Sequence, residues 1–180
     1  SGTNTTPGAP QPRRVRQQLE PTPWPLLASR PDETPEALRE RSRLMFERYR
    51  QAESLLQAGR FSEAAVEVAA IAAEEPSYQA VAALLLDARR GIAAQAKQAV
   101  DAGSALESGG DLAAALSQYE RARQLDPSLT ATESLIRQLR ERMAKEGAQL
   151  YTRAKQYDAL GRGTEAADRY DRVLGLLPSD

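Results

Sequence analysis

The stretch from Gly110 to Pro127, GDLAAALSQYERARQLDP, has two counterparts in the same chain. Fifty-one residues earlier, Gly59 to Pro76 reads GRFSEAAVEVAAIAAEEP; 51 residues later, Gly161 to Pro178 reads GRGTEAADRYDRVLGLLP. Ala64, Ala115 and Ala166 recur at the same offset. A fixed period of this length marks a helical solenoid, in which no single repeat can bury its own apolar face. Solenoids present surfaces more often than they perform chemistry, so binding is the first expectation.

Helix boundaries follow from local chemistry. Thr34 suits an N-cap, Pro35 the first helical position and Glu36 the positive end of the dipole. That helix should run to about Ala58, where Gly59 supplies the turn. Ser62 is expected to open the next helix, and Pro76 to forbid its continuation. No proline interrupts Ser77 to Ser108 or Ser128 to Leu160. Each stretch is one helix of about 32 residues, some 48 Å long, or a helix broken near Gly91 or Gly147. Continuity is favoured because the apolar stripe keeps phase through Leu85, Ala88, Ile92, Ala96, Ala99, Gly103 and Leu106. Shifted by 51 it reads Ile136, Leu139, Met143, Gly147, Leu150, Ala154 and Tyr157. These steps of three and four residues describe a helix face buried on another helix. The first repeat offers Ala37, Arg41, Met45, Arg48, Ala52 and Leu55, a poorer match that suits a terminal, partly solvated repeat.

Small residues mark the expected helix crossings: Ala52 opposite Ala64, Gly103 opposite Ala115, and Ala154 opposite Ala166. Val68, Tyr119 and Tyr170, with Ile71, Ala122 and Val173, should fill the space beyond. A larger side chain at a crossing would cost about 1–3 kcal/mol.

Residues 1–33 form a different region. Eight of the eleven prolines lie between Pro7 and Pro35. The first dozen residues are expected to be disordered or extended. Pro21 to Leu27 is extended by its prolines yet carries the sole Trp. Trp24 folds back as a cap on the first helices, belongs to a short linear motif for a partner, or lies in a simply disordered stretch.

Composition removes whole classes of chemistry. The 180 residues contain no Cys and no His, which excludes thiol catalysis, disulfides, Cys/His zinc sites and imidazole acid–base catalysis. A net charge of −1, from 24 basic and 25 acidic residues, argues against nucleic acid and against a polybasic membrane patch. No apolar run spans a bilayer. Gly109-Gly110-Asp111 lacks the Lys-Ser/Thr sequel of a phosphate loop. Glu74-Glu75 lacks metal-ligand spacing. No catalytic residue, metal site or cofactor is expected. The run from Arg137 to Arg142 reads as a solvated helix face with i,i+4 pairs such as Glu141–Lys145. Without an initiating Met or signal peptide, the expectation is a trimmed chain. Arg outnumbers Lys by 21 to 3, which hints at a high-GC bacterial genome.

The pattern resembles the tetratricopeptide repeat. A small residue in the first helix precedes a bulky one three later: Ala52/Leu55, Gly103/Leu106, Ala154/Tyr157. A Gly-x-aromatic turn follows in Gly59-Arg60-Phe61. The middle repeat fits best, through Gly110, Leu112, Ala115, Tyr119, Ala122 and Pro127. The resemblance covers about four-fifths of the chain and implies an all-α, right-handed superhelical solenoid of helical hairpins. Three repeats, at 34–76, 77–127 and 128–180, would form one domain over 34–180. It departs from the family in its period, which carries about 17 residues beyond the usual 34. Either the first helix of each pair is lengthened by several turns, or each repeat adds a short helix. Arg48 and Gly163 also stand where the family has apolar residues.

The resemblance implies a concave partner-binding face on the first helices. Its positions here are Phe46, Tyr49, Glu53 and Leu56; Lys97, Val100, Ser104 and Glu107; and Ala148, Tyr151, Lys155 and Asp158. Apolar anchors among charges suit an amphipathic helix or extended peptide. The plainer reading makes them solvated residues, with Tyr49 and Tyr151 packing on the long helices. Lys97 and Lys155 stand without Asn or Arg, which argues against a clamp for a C-terminal carboxylate. The expected function is a non-catalytic scaffold binding a protein or peptide partner, in an envelope assembly of the secretion, pilus or lipoprotein type. The leader is similar to the tether after a lipidated Cys, so a periplasmic, outer-membrane-tethered setting is favoured over a cytoplasmic one. The alternatives are a homo-oligomerising helical module and an interaction domain from a longer signalling or enzyme chain.

Overall fold

The computed structural model describes residues 21–78 and 81–177. These form six helices: α1 (Pro35–Gln57), α2 (Phe61–Glu74), α3 (Val81–Ser108), α4 (Leu112–Leu125), α5 (Thr130–Ala159) and α6 (Gly163–Leu176). No strand occurs among the described residues. The expected disorder of the first dozen residues and the turn at Pro178 lie outside them. By Cα proximity the chain divides into two units, Ser1–Glu47 and Arg48–Asp180, with the boundary inside α1.

In the first unit the extended segment before α1 lies along that helix. Ser42 is fully buried. Its hydroxyl donates to Leu38 O (2.7 Å) and accepts from the Leu27 N–H (3.0 Å). Arg41 forks onto Glu33, with Nε–Oε1 at 2.7 Å and Nη2–Oε2 at 2.9 Å, and also donates to Ala28 O at 2.8 Å. The turn into α1 passes through Asp32 at φ 62°, a left-handed position that Asp tolerates better than most residues. Thr34 caps the helix by accepting the Ala37 N–H at 3.2 Å. The buried stripe here begins with Leu38, Ser42 and Met45, one residue on from the expected Ala37 and Arg41. Leu38 offers more apolar area than Ala37, and the Arg41 charge is held at the edge by Glu33. Trp24 is half-buried at the start of this segment.

In the second unit each helix packs on the next: α2 on α3, α3 on α4, α4 on α5 and α5 on α6. The three glycine turns are built alike. Gly59, Gly110 and Gly161 have φ of 73°, 86° and 70°, a region closed to most side chains. At each, the glycine N–H bonds the carbonyl three residues back, and the next N–H bonds the carbonyl five back (Arg60 to Leu55, Asp111 to Leu106, Arg162 to Tyr157). This is the Schellman closure of a helix C-terminus. Ser62 lies inside α2, which opens one residue earlier at Phe61 behind Arg60 and has no side-chain cap. Likewise α5 opens at Thr130, and the Ser128 hydroxyl turns back to Asp126.

The long helices α3 and α5 run unbroken through Gly91 and Gly147. Packing explains one of these glycines. A Cβ on Gly91 would stand 2.2 Å from the Phe61 ring. Nothing lies within 4 Å of that position on Gly147. The crossing residues Ala52, Ala64, Gly103, Ala115, Ala154 and Ala166 are all buried. Leu112, Leu116 and Tyr119 of α4 meet Ile136, Leu139 and Met143 of α5 in the central cluster, joined by Val100 and Leu106 of α3. Each such side chain contributes about 1.5–3 kcal/mol when fully buried.

Candidate interaction face

The residues expected to line a binding face have unequal freedom. Phe46 and Leu56 are half-buried. Tyr49 packs edge-to-face on the buried Tyr78, with centroids 5.6 Å apart. Burial, then the neighbouring Glu53, pushes the Tyr49 phenol above its ordinary pKa. Glu53 accepts from Arg50 at 2.8 Å. Tyr49 therefore packs on the segment before α3 more than it offers itself to a ligand. On α3, Lys97 is exposed and pairs with Asp101 at 2.6 Å, Ser104 is exposed, and Val100 packs on the central cluster. Glu107 is committed twice: it accepts from the Tyr119 hydroxyl at 3.0 Å and from Arg142 at 3.4 Å.

On α5 the residues stand open. Tyr151 is 50% exposed. Its ring lies edge-on to Tyr170 at 5.9 Å, and Lys155 Nζ stands 5.9 Å from its centroid. Ala148 and Asp158 are exposed. The Tyr170 phenol is pushed above its ordinary pKa by desolvation, then by Asp158 and Tyr151. Asp158 thus lies near Tyr170, one period on from the hydrogen-bonded pair Glu107 and Tyr119. Tyr151, Lys155 and Asp158 form one neighbourhood, together with Tyr170.

Beside Tyr151 runs a mostly apolar groove of about 500 Å³, lined by Leu116 of α4, by Arg140, Met143, Gly147 and Ala148 of α5, by Val173 and Leu176 of α6, and by Leu177 just beyond that helix. Sequence reasoning missed the α6 wall. A signal was available in Leu177, which stands where the preceding repeat has Asp126, and in its neighbour Leu174, outside the groove, which stands where that repeat has Arg123. Both leucines are more than half exposed. The run from Arg137 to Arg142 makes its ion pairs through Arg140–Glu120 (2.6 Å) and Arg142–Glu146 (2.9 Å), rather than through Glu141 and Lys145.

Among the described residues no group of three or more His, Cys, Asp or Glu side chains is arranged to hold a metal ion. No helix among them is long and apolar enough to cross a membrane. No family model, curated protein or solved structure matches the chain.

Proposed function

We propose that this chain is a non-catalytic protein-interaction module, a tetratricopeptide-like superhelical solenoid of three hairpins with lengthened first helices. The observation that carries the reading is the open α5–α6 face, where Tyr151 stands half exposed beside the groove of about 500 Å³. An apolar pocket rimmed by a few polar groups is what a protein partner's anchor residues need. Three further features support the solenoid: the identical glycine closures 51 residues apart, the buried small residues at each crossing, and the sequential packing of helices. The missing Cys and His support a non-catalytic role. The envelope setting rests on leader composition alone. Upstream codons lacking a signal sequence that ends in Cys would remove it.

The test is affinity capture from the source organism's lysate with three baits: wild type, Lys97→Glu/Ser104→Arg, and Tyr151→Ala. All three positions are exposed, so the variants should keep wild-type circular dichroism. One partner recovered by wild type and lost by a folded variant is the expected result. No partner, with a bait that sediments as a stable dimer at all concentrations, would replace this reading with the homo-oligomer.

A further inference from the structure

Two faces that correspond to the exposed α5–α6 face are covered by helices α3 and α5. Helix α3 lies on α2, with Gly91 under the Phe61 ring, and α5 lies on α4. In the middle repeat Ala96, Tyr119 and Ala122 are 0–1% exposed. The residues 51 positions later, Gly147, Tyr170 and Val173, are only half-buried. The open surface is also more apolar than its predecessor, through Leu174 and Leu177.

Charge adds a second, independent correspondence. When α5 covers α3 and α4, Arg142 meets Glu107 and Arg140 meets Glu120. The carboxylates 51 residues after those acceptors are Asp158 and Asp171. Both are exposed, and neither has an ion pair among the described residues. The acceptor pair is thus repeated, and a helix seated here as α5 is seated on α4 would need basic residues to fill it.

Resting on the interaction-module reading, we propose that the α5–α6 face seats an amphipathic helix of a partner protein, docked as α5 docks on α3 and α4. Its apolar seam enters the groove, and basic residues at its edge meet Asp158 and Asp171. A second copy is the poorer occupant. A twofold pairing through this face would bring two sets of the same unneutralised carboxylates to one interface.

The probe is a fluorescent peptide with the sequence of residues 129–146, titrated into the full chain and read by anisotropy. Saturable binding is expected, weakened about tenfold when the peptide carries Arg140→Glu and Arg142→Glu. A protein with Asp158→Lys and Asp171→Lys should invert that preference. Both substitutions are at exposed positions, and circular dichroism verifies the fold. Absence of saturable binding to a folded chain, or binding indifferent to charge reversal on both sides, overturns the proposal. So does a dimer of the chain alone that Leu174→Asp dissociates. A captured partner that needs Lys97 and Ser104, beside a peptide without charge preference, keeps the interaction reading and removes this one.

Discussion

Gly103 and Gly147 are both helical glycines, yet their surroundings assign them opposite roles. A Cβ on Gly103 would stand 2.6 Å from the ring of Tyr119. That ring is 1% exposed and tied through its hydroxyl to Glu107, so it has no room to withdraw. Gly103→Ala should therefore lose about 1–3 kcal/mol from overpacking, more than the roughly 1 kcal/mol returned by helix propensity. Gly147→Ala meets nothing and should gain about 1 kcal/mol. Paired urea melts measure both; equal shifts for the two variants would refute the packing account. Gly103 was legible as a crossing residue from its place on the stripe. Gly147 had the same credentials, and only the open groove beside it explains the difference. A stripe records which residues face inward, and says nothing of whether a neighbour arrives.

At the scale of elements, the glycine turns were the most legible feature, because a left-handed residue at a helix end selects Gly whatever the tertiary context. The start of α1 was the least. Its buried face is set by Glu33, which lies outside the helix and takes the charge of Arg41. Helical periodicity carries no information about such a partner. The Arg41 fork and the Arg30 N–H bring the Glu33 carboxyl down to about 2, from an ordinary value of 4.5. A lowered carboxyl stabilises in its ionised form. Its contribution is complete above pH 4.5 and is lost as pH falls through about 2. Emission from Trp24 should hold steady down to about pH 4.5 and shift between there and pH 2. In Glu33→Gln the shift should already be present at neutral pH and absent from that window. An acid profile unchanged by the substitution would show that the segment is held by other contacts. The α6 wall was illegible for the converse reason. Its apolar pattern matches that of a covered helix, and Leu174 and Leu177 become informative only beside Arg123 and Asp126.

At the scale of the molecule, the 51-residue period invites editing. Pro76-Ser77 and Pro127-Ser128 are the same dipeptide, so excision of residues 77–127 restores the junction it cuts. The shortened chain should keep its helices by circular dichroism but melt well below the parent. A melting temperature equal to the parent's would be the contrary result. The expected loss lies in the contacts between repeats, where linkage plays no part. Position 91, where Gly lies under Phe61, becomes Arg142 one period later, and Phe61 becomes Leu112. Leu56 becomes Glu107, the carboxylate that receives Arg142. Aromatic-on-glycine at one seam has been exchanged for an ion pair at the next. The modules share their joints and differ in their locks, so repeat order is written in side-chain shape and charge. Units of one chain that correspond at 51 residues and differ in this way cannot trade neighbours during folding without leaving an arginine under an aromatic ring or a carboxylate beside leucine.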